Sequence, residues 1–292
     1  MPGAIKIATN ISNAEPLSNQ EIPQTKVLIR GGGDMASGVA YLLFKNGFKV
    51  FLTELACPLA IRRMVSFCEA VFDGEKTVEG VTALRVSEPK EAFSVWEMGK
   101  IPLLVDPENR TKNFLKPHVL IDATMAKRNV GTMITDAPLV IGLGPGFKAG
   151  KDVHVVIETN QGSSLGKIIF EGEAEPDNRI PEIIAGFGEE RVIRAPRDGI
   201  WKIAKDIGAI VTEGEIIAWV EGEPVKARLS GIIRGMLRDG TKVTEGLKAG
   251  EVDPRGEMDY CTKIFDKAIS LGNAVMDAIL SLLPKNLLAE EV

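Results

Sequence analysis

The stretch VLIRGGGDMASGVAYLLFKNGFKVFLTE, residues 27–54, decides the fold class. It begins with an apolar run at 27–29, which predicts a buried strand, and three glycines follow at 31–33. Apolar residues then recur at three- and four-residue spacing as far as Asn46-Gly47, a common helix stop, and residues 48–53 predict a second strand. Strand, glycine turn, helix and strand form one βαβ unit, which predicts a parallel sheet.

The glycine turn fits the pattern G-x-G-x-x-A at Gly31, Gly33 and Ala36, and Glu54 ends the second strand roughly 20 residues later. Such a turn lets the backbone approach a pyrophosphate, and a carboxylate at this distance can hold ribose hydroxyls. The predicted cofactor-binding residues here are Gly31, Gly32, Gly33, Asp34, Met35 and Glu54. Alternatively, Asp34 caps the helix and repels phosphate, and the turn is purely structural.

Further candidates follow other apolar runs. The run at 119–121 ends in an aspartate, and the run at 139–141 leads into a second glycine segment, 142–146. Adjacent cations at 127–128 suit a phosphate or carboxylate, and successive glycine N–H groups can form an anion nest. From these segments we predict as binding residues Asp122, Lys127, Arg128, Gly144, Gly146, Glu158 and Asn160. Each of them could instead be an ordinary surface or turn residue, and no residue is assigned as catalytic.

Residues 195–220 and 227–252 repeat each other, with Val-Thr-Glu-Gly in both halves. Equal spacing relates Ala195, Gly199, Gly208 and Gly214 to Ala227, Gly231, Gly240 and Gly246. Both halves alternate short apolar runs with glycine turns, which predicts β-structure, and together they resemble the halves of a biotinyl/lipoyl-type domain. The hairpin between the halves, 221–224, has no lysine, so we expect no covalent biotin or lipoate. A packing or dimerisation module is the alternative.

These segments together predict an α/β protein with a Rossmann-like parallel sheet, a β-rich barrel-sandwich (biotinyl/lipoyl-like) module and a C-terminal helix. The predicted divisions are a flexible leader or arm at 1–24, a Rossmann-like nucleotide-binding domain at 25–150, a β-rich connecting segment at 151–190, the repeated module at 191–256 and an amphipathic helix at 257–292. The apolar stripe of that helix must pack on the first domain or on a second copy, so a homodimer is one expectation.

Composition excludes several classes of function. The net charge is −5 and no basic run occurs, which argues against a nucleic-acid partner. Three separated cysteines and two histidines predict neither a disulfide scaffold nor a metal site. No segment has the length and apolar character of a membrane span, so we expect a cytoplasmic protein without a membrane partner.

Several segments also resemble a known family. They are IRGGGDMASGVAYLLFKNGFKV (29–50), CPLAIRRMVSF (57–67), VLIDATMAKRNVGT (119–132), VIGLGPGFKAGKDVHVVIETNQG (140–162) and the region from RAPRDGI through LKAGEVDPRG (194–256). These segments are similar to YqeB-type proteins, which are accessory proteins of selenium-dependent molybdenum hydroxylase systems. A more distant similarity is to the Rossmann-like part of XdhC-type chaperones, which deliver sulfurated molybdopterin.

The resemblance implies a role in maturing a xanthine-dehydrogenase-like enzyme, with a molybdenum hydroxylase as partner. It also implies a phosphate-bearing small-molecule cofactor, either NAD(P) or a molybdopterin nucleotide. Two alternatives remain. An NAD-dependent oxidoreductase would transfer hydride, and a non-catalytic interaction scaffold would bind the partner protein but no cofactor.

Overall fold

The computed structural model of the chain describes residues 22–178 and 180–283. The predicted leader at 1–24 therefore lies almost wholly outside the described residues, and the predicted C-terminal helix is described only as far as 283. Within these ranges, no helix has both the length and the apolar character needed to cross a membrane.

The strands of the described ranges are β1 Lys26–Arg30, β2 Lys49–Glu54, β3 Glu75–Val78, β4 Val81–Val86, β5 Ile101–Val105, β6 Val119–Asp122, β7 Leu139–Leu143, β8 Lys148–Ala149, β9 Val155–Ile157, β10 Ile168–Ile169, β11 Gly172–Glu173, β12 Val192–Arg194, β13 Gly199–Ile203, β14 Ile210–Val211, β15 Ile216–Val220, β16 Glu223–Lys226, β17 Gly231–Met236, β18 Lys242–Val243 and β19 Lys248–Asp253. The helices are α1 Asp34–Lys45, α2 Ala70–Asp73, α3 Ala92–Glu97, α4 Thr111–Leu115, α5 Asp259–Thr262 and α6 Asp266–Leu282. Short 3-10 turns lie at Ile22–Gln24, Arg63–Val65, Phe67–Glu69, Pro89–Glu91 and Glu189–Arg191.

The first large element is a nine-stranded sheet in the order β10-β9-β7-β6-β1-β2-β5-β4-β3. Its seven inner strands are parallel. The central strands β1, β6 and β7 are apolar runs buried on both faces, as is typical of parallel sheets. The outermost strands, β3 and β10, pair antiparallel with their neighbours. The carboxyl ends of β1, β2, β5 and β6 meet at one edge of this sheet, where the glycine turn also lies.

The predicted fold class, a Rossmann-like parallel sheet with a biotinyl/lipoyl-like module, was wrong. The large sheet is mixed, and antiparallel sheets make up much of the remaining structure. Apolar periodicity identified the buried inner strands, but it did not reveal the hairpins at the two edges. Those edge strands are short and partly exposed, and β3 turns into β4 at Glu79-Gly80, where both residues have positive φ.

The repeated segment forms two four-stranded antiparallel sheets, β12-β19-β17-β14 and β16-β15-β13-β18. One short strand from the opposite half of the repeat completes each sheet. Strand β14 of the first half pairs with β17 of the second half, and β18 of the second half pairs with β13 of the first half. We call residues 189–253, which include the short turn Glu189–Arg191 before β12, the repeat region. The predicted domain boundaries stay predictions, although the nine-stranded sheet draws β9 and β10 from the segment 151–190.

Helices α1 and α6 pack side by side on the nine-stranded sheet, although they are far apart in sequence. Their contact is close because Gly38 of α1 faces Ala268 of α6, and Gly272 faces Leu42. The buried face of α6 joins the same hydrophobic core as β1 and β2. The predicted apolar stripe therefore packs within the chain.

The loop 55–61 that follows β2 connects the sheet to the repeat region. The backbone N–H of Met236 donates a hydrogen bond to the Ile61 carbonyl at 2.8 Å, and Ile61 packs on the hydrophobic core of the repeat region. Arg63 reinforces this contact, because its Nε donates to the Met236 carbonyl at 2.7 Å. This attachment places the repeat region over the carboxyl edge of the sheet and encloses a cleft between them.

Candidate functional site

The cleft between the sheet and the repeat region has a volume of about 790 Å³. Clefts of several hundred Å³ are typical of cofactor-sized ligands. Two sets of charged residues line it. One set comes from the glycine turn and the end of β2, and the other from residues after β2 and from the repeat region. These two sets include Asp34, Glu54, Arg62, Arg191, Arg234 and Glu251. The cleft is also lined by the charged residues Arg30, Asp106, Glu182, Lys248 and Lys267.

The three glycines of the turn have different local roles. Gly31 has φ +105°, and a Cβ there would lie 2.9 Å from the Ala123 carbonyl oxygen. A Cβ on Gly32 would lie 3.1 Å from the backbone nitrogen of Cys68. Gly33 has φ −66°, and nothing lies within 4 Å of the position its Cβ would take. Only Gly33 therefore leaves open space toward the cleft, and Gly31 and Gly32 serve close packing.

Glu54 is bonded to the glycine turn itself. Its Oε2 accepts the Gly32 N–H at 2.7 Å, and its Oε1 accepts the Leu55 N–H at 2.7 Å. Burial raises the pKa of the Glu54 carboxyl above its usual range, although the two N–H groups favour the ionised form. The carboxylate thus lies against the turn that was predicted to hold a phosphate.

Arg62 and Arg191 are buried cations with incomplete hydrogen bonding. Their exposed fractions are 4% and 3%, yet Arg62 Nε, Arg62 NH1 and Arg191 Nε have no hydrogen-bond partner among the described residues. Arg62 NH2 donates to the Tyr260 and Lys263 carbonyls, and Arg191 NH1 donates to the Glu182 carbonyl. Burial lowers the pKa of both guanidinium groups, and the charge of Arg234 lowers both further. Buried guanidinium N–H groups without partners are rare, and they suit an anion in the cleft.

Arg234 and Glu251 form a pair behind these arginines. Arg234 Nε lies 2.6 Å from Glu251 Oε1, and Lys248 Nζ lies 2.9 Å from Glu251 Oε2. Burial alone would raise the pKa of Glu251, but the charges of Lys248 and Arg234 outweigh it and hold the pKa well below its usual range. Glu251 is therefore ionised and offsets the charge of its two partners. The other cations that line the cleft are Arg30, Arg62, Arg191 and Lys267.

The cleft brings together Gly31, Gly33, Asp34, Met35 and Glu54 from the first predicted group. Gly32 contributes the N–H that Glu54 accepts. Asp34 bonds within its own helix turn, because its Oδ1 accepts the Met35 N–H at 3.0 Å.

The second predicted group, Asp122, Lys127, Arg128, Gly144, Gly146, Glu158 and Asn160, is absent from the lining of this cleft, as far as the described residues define it. Asp122 is fully buried and accepts hydrogen bonds from Thr124 and Thr132. Glu158 accepts the N–H groups of Thr159, Asn160 and Glu175. Both carboxylates therefore hold loops together.

The second glycine segment packs against other backbone. A Cβ on Gly144 would lie 2.5 Å from Thr159 Oγ1, and one on Gly146 would lie 2.6 Å from the Arg128 backbone. Lys127 Nζ lies 4.0 Å from Asp177 Oδ2, and Asn160 Nδ2 donates to Glu175 Oε2 at 2.7 Å. These residues lie outside the lining of the cleft, and their assignment as cofactor ligands stays a prediction.

Sequence reasoning missed the residues of the repeat region, although the repeat contains a usable signal. With the two halves aligned, Arg234 corresponds to Lys202 and Glu251 to Trp219. Lys202 and Trp219 are exposed cross-strand neighbours, whereas Arg234 and Glu251 are buried. The two halves of the repeat therefore differ at positions where the second half faces the cleft. One of these differences, Glu251 in place of the apolar Trp219, can be read from the sequence.

The chain was compared with known proteins. No family model matches it. It is 48% identical over 257 residues to the uncharacterized protein YqeB of Escherichia coli (strain K12), a match over 88% of this chain and 48% of that protein. The chain thus spans about half the length of the curated relative it matches.

Solved structures give only weak similarities. The ectoine utilization protein EutE (DoeB) from Ruegeria pomeroyi is 13% identical with a TM-score of 0.24, over 78% of this chain and 85% of that chain. A succinylglutamate desuccinylase/aspartoacylase from Rhodobacter sphaeroides is 15% identical with a TM-score of 0.26, over 78% and 84%. Similarities this low support no argument about fold or activity. The match to YqeB contains no information on molybdenum or selenium, but it does support the prediction from the quoted segments that this chain belongs to the YqeB family.

Proposed function

We propose that the chain binds a phosphate-bearing cofactor of the molybdopterin type in its cleft and acts as an accessory protein in the maturation of a selenium-dependent molybdenum hydroxylase. Molybdopterin, when bound to a hydroxylase, supplies the dithiolene that holds molybdenum. The residues of this chain would bind and orient the cofactor and shield it from water. The role in maturation rests on the family resemblance, and the role in binding rests on the cleft.

One observation supports binding most strongly. Arg62 and Arg191 both line the cleft, and each has buried guanidinium nitrogens without a hydrogen-bond partner among the described residues. A buried polar group without a partner costs about 1–3 kcal/mol, and more when it is charged. A phosphate in the cleft beside both side chains would give each guanidinium group a charged partner and counter the lowering of its pKa.

The oxidoreductase alternative has less support. It needs N–H groups of the glycine turn that are free to hold the pyrophosphate of NAD. The Gly32 N–H already donates to Glu54 Oε2. We therefore propose binding of the cofactor without hydride transfer.

Binding is tested by calorimetric titration of the purified full chain with inorganic pyrophosphate. Removal of one charge-assisted contact costs about 1.5–3 kcal/mol, so we expect Arg62→Gln and Arg191→Gln each to weaken binding roughly 10- to 100-fold. The matched control is Arg194→Gln, because Arg194 is an exposed arginine that pairs with Glu189 outside the cleft. Equal affinity of wild type and both cleft variants would contradict the proposal.

Maturation is tested in a bacterium that encodes both this chain and a selenium-dependent molybdenum hydroxylase. Deletion of the gene should lower hydroxylase activity, and wild type or Arg194→Gln should restore it. Arg191→Gln should fail to restore it, and less pterin should co-purify with this variant, measured by fluorescence after oxidation. Full hydroxylase activity in the deletion strain would overturn the assigned role.

A further inference from the structure

One lysine lines the cleft without engaging the rest of the chain. Lys267 is the second residue of α6, and its side chain is half-buried. Its amine forms no hydrogen bond or ion pair with any residue that the structure describes. By contrast, the other cations of the lining each donate at least one hydrogen bond within the chain, and they are Arg30, Arg62, Arg191, Arg234 and Lys248.

The surroundings of this amine favour its neutral form. Burial lowers the pKa of Lys267, and the nearby positive charge of Lys127 lowers it further. The carboxylates of Glu182, Asp34 and Asp177 oppose this shift only in part. A lysine amine attacks a carbonyl group only when it is neutral, and desolvation beside another cation is a general way of making it nucleophilic.

Lys263, four residues earlier in the chain, provides a natural comparison. It is exposed and pairs with Asp259, and this pairing raises its pKa. Lys263 also lies outside the lining of the cleft. The two lysines therefore differ in burial, in pairing and in the direction of their pKa shifts, and the cleft is what distinguishes their surroundings.

We propose that Lys267 is a nucleophilic amine that forms an imine with the aldehyde or ketone group of a small ligand in the cleft. The amine nitrogen forms a bond to the carbonyl carbon, and the π-electron pair of the C=O bond moves to the oxygen. The two N–H protons pass to this oxygen, which leaves as water, and the nitrogen lone pair completes the C=N bond. Asp34 and Glu182 line the same cleft, and their carboxylates can carry these protons. The step needs no oxidant or reductant.

This inference goes beyond the proposed function, and it is tested by reductive trapping of the purified full chain with pyridoxal and borohydride. Pyridoxal carries an aldehyde but no phosphate, so the result does not depend on phosphate binding. Borohydride reduces the imine to a stable amine, and peptide mapping by mass spectrometry identifies the labelled lysine. At neutral pH we expect Lys267 to be trapped on the order of tenfold faster than Lys263, at a rate that saturates with pyridoxal concentration.

Two variants and the pH dependence sharpen the test. Lys267→Arg should abolish trapping in the cleft and leave trapping of Lys263 unchanged, because arginine keeps the charge but does not form this imine. Lys263→Arg is the matched control, and Lys267 should be trapped in it at the wild-type rate. As the pH rises, trapping of Lys267 should level off at a lower pH than trapping of Lys263, because its amine loses its proton first.

The outcomes separate this inference from the proposed function. Trapping of Lys267 no faster than that of Lys263 would overturn the inference, and so would a rate that rises linearly with pyridoxal concentration. Neither comparison needs a variant, so both remain decisive if Lys267→Arg fails to fold. Saturable trapping of Lys267 in a chain that does not bind pyrophosphate would leave the inference standing and overturn only the proposed function.

Discussion

Individual residues of the glycine turn have separable roles, although the sequence presents three identical glycines. Gly31 needs its positive φ and its close approach to Ala123, whereas Gly33 has an ordinary φ and open space beside it. Only the open space beside Gly33 concerns a ligand. The motif therefore overstates how much of the turn is available for binding.

Substitution by serine should separate these roles. Gly31→Ser should lower the free energy of unfolding by about 2 kcal/mol or more, because a side chain is strained at this φ and would clash with the Ala123 carbonyl. Gly33→Ser should stay within about 0.5 kcal/mol of wild type, since serine is a good helix N-cap. Urea unfolding measures both. Equal losses in the two variants would show that this description of the turn is wrong.

Glu251 should make the stability of the folded protein depend on pH. Its pKa is lowered in the folded protein, so the unfolded chain takes up the proton first as the pH falls, and the stabilisation is lost in acid. Glu251→Gln should be about 3 kcal/mol less stable than wild type at pH 7, because it leaves Arg234 without its closest partner. That gap should begin to narrow once the pH falls below about 4, the pKa of an unperturbed glutamate, and should continue to narrow toward the lower pKa of the folded protein.

Denaturant unfolding of both proteins across this pH range is the measurement. Glu213→Gln, on an exposed turn, should match wild type at every pH. A stability gap between Glu251→Gln and wild type that does not change with pH would show that Glu251 contributes through its shape and not its charge.

At the scale of elements, the closest contact is between the two long helices. A Cβ on Gly38 of α1 would lie 2.6 Å from the Ala268 Cβ and 3.0 Å from its backbone carbonyl carbon. A Cβ on Gly272 of α6 would lie 3.2 Å from the Leu42 Cβ. The contact at Gly38 is too short for any real Cβ, whereas the contact at Gly272 is only tight, so the two glycines differ in how strictly they are required.

Alanine at each position should reveal that difference. Gly38→Ala should lower stability by about 1–2 kcal/mol, because overpacking exceeds the gain of roughly 1 kcal/mol in helix propensity. Gly272→Ala should be close to neutral, since overpacking and propensity nearly cancel there. Thermal unfolding of both variants is the measurement. If Gly38→Ala proves more stable than wild type, the two helices do not pack as closely as described.

The elements also show what the sequence could and could not predict. The unit from Val27 to Glu54 was predicted as strand, helix and strand and has that structure, because its apolar spacing reflects local burial. The edge hairpins and the sheet order were missed, because pairing depends on residues far apart in the chain. Likewise, Gly144 and Gly146 followed a strand as expected, but close packing against Thr159 and Arg128 occupies their surroundings.

At the scale of the whole molecule, the site is a product of distant segments. Glu54 was predicted from one motif, but Arg62, Arg191 and Arg234 reach the cleft from three segments that no local pattern connects. They meet because the loop after β2 docks on Met236 and carries the repeat region over the sheet edge. The glycine turn and Glu54 were therefore predictable from the sequence, and the arrival of Arg191 and Arg234 at the same cleft was not.

The most direct test of the account is a crystal structure of the full chain with pyrophosphate. We expect a phosphate oxygen within about 2.7–3.2 Å of guanidinium nitrogens of both Arg62 and Arg191, with the Gly32 N–H still bonded to Glu54. Pyrophosphate bound instead to the N–H of Gly33, with Glu54 displaced from the turn, would contradict the central claim.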